Sequence, residues 1–79
     1  MPDAPPVLLS VDARGIATVT LNRPQVGNAY NAALLTGLVE GMERLRADPA
    51  VRAVVIRGAG RHFAAGADIN WLTEVAEYP

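Results

Sequence analysis

The stretch Val51-Arg52-Ala53-Val54-Val55-Ile56-Arg57-Gly58-Ala59-Gly60-Arg61-His62-Phe63-Ala64-Ala65-Gly66-Ala67-Asp68-Ile69 decides how this chain folds. Its centre, Val54-Val55-Ile56, has no polar break. It reads as a strand from Arg52 to Arg57, buried on both faces in a parallel sheet covered by helices. Gly58-Ala59-Gly60-Arg61 supplies a turn, and His62 to Ala67 a compact loop of small residues around Phe63. Asp68 is then placed to cap a helix from Ile69 to about Glu77, with Ile69, Leu72, Val75 and Ala76 on its apolar side. The chain therefore runs from the carboxyl end of a buried strand to the amino end of a helix. In open α/β sheets that edge is where ligands bind.

Working outward toward the amino terminus, Asp48-Pro49 stops a helix predicted from about Ala32 to Ala47, with Asn31 as its N-cap. Leu34, Leu35, Leu38, Met42 and Leu45 recur at helical spacing as one apolar stripe, while Glu40, Glu43, Arg44 and Arg46 fall largely elsewhere. Gly37 and Gly41 weaken this helix by up to about 1 kcal/mol each, so their presence predicts close packing against another backbone. Earlier still, Val7 to Asp12 and Ile16 to Leu21 read as two strands joined through Ala13-Arg14-Gly15, an antiparallel hairpin. Alternation puts Ala17, Val19 and Leu21 on one face and Thr18 and Thr20 on the other. Asn22-Arg23-Pro24 ends the second strand, and a loop follows through Tyr30. Strand, helix, strand predicts a right-handed βαβ crossover, hence an α/β fold. Residues 1–6, with three prolines, are expected to be a flexible tail, and residues 7–79 one body without internal repeats.

Composition narrows the classes. There is no cysteine, so neither disulfides nor a thiolate metal site can stabilise the fold. The net charge of −1 comes from seven arginines scattered among eight acids, with no basic stripe for nucleic acid or a membrane surface. Met1-Pro2-Asp3-Ala4-Pro5-Pro6 lacks the charged and apolar regions of a secretory signal, and no apolar run approaches the length of a bilayer span. A soluble, cytoplasmic protein is the expectation.

The chemistry concentrates in Gly58 to Ile69. Small side chains at Ala64, Ala65, Gly66 and Ala67 let a ligand approach the backbone, and the amides at a helix start are unpaired donors in a field that favours negative charge. A donor such as the Ala67 N–H could stabilise a developing oxyanion. The same features also fit a tight strand-to-helix turn that binds nothing. A dinucleotide fingerprint opening at Gly58 and Gly60 would need glycine at position 63, which is Phe63, and no Gly-Lys-Ser/Thr is present. Asp68 reads as an N-cap before a substrate-contacting carboxylate, and Arg23 as holding its loop before pairing with a phosphate. His62, Glu74 and Glu77 read as structural or solvated groups, since nothing beside them completes a mechanism.

Two motifs together carry a family resemblance. Val51 to Ile69 resembles the signature strand and loop of the enoyl-CoA hydratase/isomerase (crotonase) family. Upstream, Leu21-Asn22-Arg23-Pro24 followed by Asn28-Ala29 and Asn31 is similar to that family's first loop. They stand in the family's order with a helix between them, and the likeness runs from about Val7 to Leu72.

The resemblance implies the opening ββα turns of the crotonase-like spiral, incomplete as a domain, and an acyl-CoA thioester as substrate. The family's oxyanion hole uses two backbone N–H groups; the first falls on Ala67. Ala65, Gly66, Ala67, Asp68 and Ile69 would line the path of coenzyme A, with Val26 and Ala29 opposite. Coenzyme A enters as part of the substrate, and no metal or redox cofactor is implied. The second donor and the acid/base glutamates belong to later segments of the family's longer domain. These residues alone are accordingly expected to be inactive and to fold poorly. Enoyl-CoA hydratase is the first expectation, in a homotrimer or hexamer when intact. Isomerase or hydrolase chemistry is the alternative, as is a non-catalytic acyl-CoA-binding or protein-interaction module.

Overall fold

The computed structural model describes residues 5–76. Of the expected tail, residues 1–4 lie outside these. Pro5 and Pro6 do not behave as a free tail: the Asn22 side-chain amide donates to the Pro5 carbonyl at 3.1 Å and the Asn22 backbone N–H to the Pro6 carbonyl at 2.7 Å.

Two strands, β1 (Val7–Val11) and β2 (Ile16–Leu21), form the predicted antiparallel hairpin, with Leu9 opposite Val19. Asp12 makes the turn. Its Oδ1 accepts from the backbone N–H groups of Arg14 and Ile16 at 2.8 and 3.0 Å. Short acidic side chains stabilise reversals in this way by substituting for backbone acceptors. The alternation along β2 holds fully: Ala17, Val19 and Leu21 are buried, and the residues between them are only half-buried.

Helix α1 (Ala32–Arg46) follows a single 3-10 turn, Pro24–Val26, and begins where Asn31 was expected to cap it. The Asn31 side chain accepts from the Leu34 N–H at 3.0 Å, satisfying one of the four donors that every helix start leaves open. Leu34 and Leu45 of the stripe are buried and Leu38 packs on the core, whereas Met42 is exposed. The core gathers Ala17, Val19 and Leu45, with Val7, Leu9, Leu38 and Val51 against them.

Gly37 and Gly41 do mark a close approach, but not to a backbone. A methyl at Gly37 would lie 3.2 Å from Val7 Cγ2, and one at Gly41 3.1 Å from Leu9 Cδ2. Four helical residues rise about 6 Å, close to the two-residue repeat of a strand at about 6.7 Å. The inward side chains of β1 therefore seat in two glycine notches of α1.

Strand β3 (Ala53–Gly58) pairs parallel with β2, Val19 opposite Ile56, giving a sheet ordered β1-β2-β3. The sheet is mixed. One sequence expectation fails here, since Val54, Val55 and Ile56 remain 37%, 49% and 42% exposed. The reason is geometric. Helix α1 lies over β1 and β2, so β3 stands at the margin of the sheet with little cover from the described residues. Helix α2 (Ile69–Ala76) completes the element order; Ile69, Leu72 and Val75 on its apolar side are likewise exposed. Glu77, the expected end of that helix, falls outside the described residues. No helix among those described is long and apolar enough to cross a membrane.

Candidate active-site loops

Two loops leave the same end of the parallel pair, residues 22–31 after β2 and residues 59–68 after β3. Backbone hydrogen bonds stitch residues 27–30 of the first to residues 65–68 of the second. The Ala65 N–H donates to the Gly27 carbonyl at 2.9 Å, the Tyr30 N–H to the Gly66 carbonyl at 2.9 Å, and the Asp68 N–H to the Tyr30 carbonyl at 2.8 Å. Tyr30 and Ala67 thereby form an isolated parallel bridge. The candidate residues Ala29, Ala65, Gly66, Ala67 and Asp68 lie on or beside this bridge. Val26, on the 3-10 turn, is 42% exposed, and Ile69, the first residue of α2, is 78% exposed.

The bridge fixes the direction of the Ala67 amide. The peptide joining Gly66 to Ala67 is trans, since the chain has no cis bonds, and in a trans peptide the C=O and N–H point oppositely. The Gly66 carbonyl points at Tyr30, so the Ala67 N–H points away from it. Among the described residues that N–H has no acceptor. Gly66 has φ +115°, a conformation that side chains disfavour, and a methyl built there would meet nothing within 4 Å. The donor thus lies next to a residue with no side chain, where an added methyl would meet open space.

Asn28 holds the two loops from inside. It is fully buried and adopts φ 58°, which asparagine tolerates better than most residues. Its Oδ1 accepts from the Arg23 N–H at 2.7 Å, and its Nδ2 donates to the Ala59 and His62 carbonyls at 2.8 and 2.7 Å. This hub was not singled out from the sequence. The available signal was Gly27-Asn28 after a proline turn, a dipeptide suited to positive φ. Gly58 leaves the necessary space, because a methyl there would collide with the His62 carbonyl and approach the Phe63 carbonyl at 2.6 Å.

Asp68 caps α2 as expected. Its Oδ1 accepts from the Asn70 N–H at 2.8 Å, while Oδ2 meets the Arg23 guanidinium at 3.2 Å. The Asn70 N–H and then the Arg23 charge hold the Asp68 carboxyl below its ordinary range. Arg23 also donates to the Ala29 carbonyl, so it holds its loop, one of the two roles read for it. Trp71 packs edge-to-face on Tyr30, ring centroids 5.9 Å apart. His62 is exposed and contributes its carbonyl to Asn28; Glu74 is exposed on α2, and Glu77 is not among the described residues. The described residues contain no cluster of metal-ligating side chains.

Comparison with known proteins agrees with this geometry. A family profile described as enoyl-CoA hydratase/isomerase matches residues 12–78. The chain is 46% identical over 59 residues to the 2,3-dehydroadipyl-CoA hydratase of Escherichia coli, covering 75% of this chain and 23% of that protein. It is 38% identical over 63 residues to the 1,2-epoxyphenylacetyl-CoA isomerase of the same organism, covering 80% and 24%. Among solved structures, an enoyl-CoA hydratase of Mycobacterium smegmatis superposes with a TM-score of 0.82 at 42% identity, covering 96% of this chain and 28% of that one. The chain spans about a quarter of the length of such relatives. The hairpin, the parallel crossover and the stitched loops are the opening part of the crotonase fold, and the chain belongs to the enoyl-CoA hydratase/isomerase family.

Proposed function

We propose that these residues supply the first oxyanion donor and part of the coenzyme A path of an enoyl-CoA hydratase. The observation that carries this reading is the Ala67 N–H, held by the Tyr30 bridge, directed away from it, and without an acceptor among the described residues. In the reaction, a general base takes one proton from water as its oxygen bonds to the β-carbon of the enoyl thioester, and the double-bond electrons move onto the thioester oxygen. The resulting enolate is then protonated at the α-carbon. A fixed N–H aimed at that oxygen lowers the barrier because charge develops there in the transition state. Removing one such donor costs about 10²- to 10³-fold in kcat.

Ala65, Gly66, Asp68 and Ile69, with Val26 and Ala29 of the first loop, line the coenzyme A path in this reading. Coenzyme A arrives as part of the substrate, and the addition of water requires no metal or redox cofactor. Asp68 is a poor candidate for the acid/base work. One of its oxygens is committed to the Asn70 N–H and the other to Arg23, and its lowered pKa weakens it as a base. The proton-transferring carboxylates are therefore assigned to other parts of the polypeptide, and the assembled enzyme to a homotrimer or hexamer.

The test is hydration of crotonyl-CoA, followed by loss of the enoyl thioester absorbance, together with amide NMR. The complete product of the gene is expected to hydrate crotonyl-CoA and to shift its Ala67 amide on titration, more with crotonyl-CoA than with coenzyme A. A polypeptide limited to the 79 residues is expected to be inactive. An inactive complete protein whose Ala67 amide ignores crotonyl-CoA would sink the proposal. Hydration by the 79 residues alone would sink the division of labour.

A further inference from the structure

The ion pair between Arg23 and Asp68 does more than hold a surface together. Its partners stand 45 residues apart, and their side chains are only 18% and 15% exposed. Each end of the pair already has a local task. Asp68 caps α2 through Oδ1, and Arg23 is anchored through its backbone, its N–H donating to Asn28 Oδ1 and its carbonyl accepting from the Asn28 N–H at 2.8 Å. The guanidinium then spans the two loops, with one nitrogen on the Ala29 carbonyl and the other on Asp68 Oδ2. Ala29 immediately precedes Tyr30, and Asp68 immediately follows Ala67. The pair therefore crosses the Tyr30–Ala67 bridge from the residue before one member to the residue after the other.

We infer that Arg23 and Asp68 are positioning residues for the Ala67 amide, an inference that rests on the reading of Ala67 as an oxyanion donor. The Tyr30–Ala67 bridge, the bond from the Ala65 N–H to the Gly27 carbonyl and the Asn28 side chain join the loops, but none of them ties the residues flanking the bridge, Ala29 and Asp68, to each other. The guanidinium clasp supplies that tie and limits the freedom of one loop to slide along the other, because its fork bonds a carbonyl on one loop and a carboxylate on the other. A preorganised donor is sensitive to such freedom, since displacing a reacting partner by about 1 Å can cost about 10²-fold. Neither side chain meets the reacting atoms in this role, and Asp68 borders the coenzyme A path through its main chain. Each acts through the backbone of its neighbour.

The experiment uses the complete product of the gene with crotonyl-CoA as substrate. Asp68→Asn keeps an oxygen to cap Asn70 and loses the ion pair. Arg23→Lys keeps a charge for Asp68 and loses the second arm to Ala29. The expected result for Asp68→Asn is a kcat about tenfold lower with KM within about twofold. Its thermal midpoint should stay within a few degrees, and its Tyr30 and Asp68 amides should exchange about tenfold faster with solvent. Arg23→Lys should show a smaller loss of the same kind. Combining the two should cost little more than the worse single change, because both break one unit. Should Asp68→Asn fail to fold, Arg23→Lys carries the test alone.

Unchanged kcat and unchanged amide exchange in both variants of an active protein overturn the positioning role while leaving the donor reading intact. So does a loss confined to KM or to thermal stability. An unsubstituted protein that neither hydrates crotonyl-CoA nor shifts its Ala67 amide overturns the donor reading and this role with it.

Discussion

Replacing Asn28 tests the architecture of the paired loops at its most buried polar point. Asn28→Ala removes three hydrogen bonds at 2.7, 2.8 and 2.7 Å and leaves the Arg23 N–H and the Ala59 and His62 carbonyls without these partners. An unsatisfied buried group costs about 1–3 kcal/mol, and taking the low end for groups that are only partly buried gives about 3 kcal/mol. Alanine at φ 58° adds about 1 kcal/mol that asparagine mostly escapes. The expected total is about 4 kcal/mol, a large share of the 5–15 kcal/mol that stabilises an ordinary domain. Asn28→Gly loses the same bonds without the conformational strain and should be milder by about 1 kcal/mol. Asn28→Asp keeps the acceptor for Arg23 but turns a carboxylate oxygen toward two carbonyls, so it should be at least as damaging as alanine. Urea unfolding of the complete gene product, followed by circular dichroism, reads these differences as shifts in midpoint at constant slope. An Asn28→Ala loss below about 1 kcal/mol, or an Asn28→Gly variant less stable than Asn28→Ala, would refute the reasoning.

Gly58→Ala should destabilise by about 1–3 kcal/mol, because the new methyl meets two carbonyls and lies 2.8 Å from the Asn28 amide nitrogen; a neutral substitution in the same urea assay would contradict that contact. The Asp68 pKa is depressed on folding, so its contribution is fully present above the ordinary value of 3.8 and is lost as pH falls below it. The gap in thermal midpoint between the natural protein and Asp68→Asn should therefore narrow between pH 5 and pH 3, and a gap that widens on acidification would reverse the sign. A polypeptide limited to the 79 residues should bind a hydrophobic dye and unfold without cooperativity, since Val54, Val55, Ile56, Phe63, Ile69, Leu72 and Val75 are all exposed in it. A cooperative thermal transition from a monomeric preparation would count against this.

Local rules served the sequence reading well wherever a single element answers to its own residues. The inward face of β2, the Asn31 and Asp68 caps and the stop at Asp48-Pro49 follow from alternation, capping and proline chemistry, which act within a few residues. Val54 to Ile56 was misjudged for the opposite reason. An unbroken apolar run states that a strand requires cover on both faces, but it cannot state which residues provide it, and α1 covers its neighbours instead. The glycines of α1 are legible as a close approach, yet nothing in their spacing tells a strand's side chains from its backbone. Asn28 is legible as a residue of the first-loop motif, but its role as a hub is not, because its partners Ala59 and His62 contribute carbonyls, which every residue possesses and no sequence pattern marks.

That last point bears on how this site is built. The group proposed to do the chemistry is a main-chain N–H at an alanine, so any residue except proline could supply it at position 67. The demands on residue type fall instead on the positions that aim it: Arg23 for a forked cation, Asn28 for one acceptor and two donors at positive φ, Gly58 for the absence of a methyl, Gly66 for φ +115°. A resemblance carried by Asn-Arg-Pro and by a run of small residues is therefore a resemblance in scaffolding. On the proposed reading it bears on where an oxyanion would be held. It would be indifferent to which proton is moved afterwards, and this is consistent with a hydratase and an isomerase being similar to this chain at 46% and 38% identity. On that reading the reaction would be chosen by side chains that meet the substrate from elsewhere, against a donor whose position these loops set.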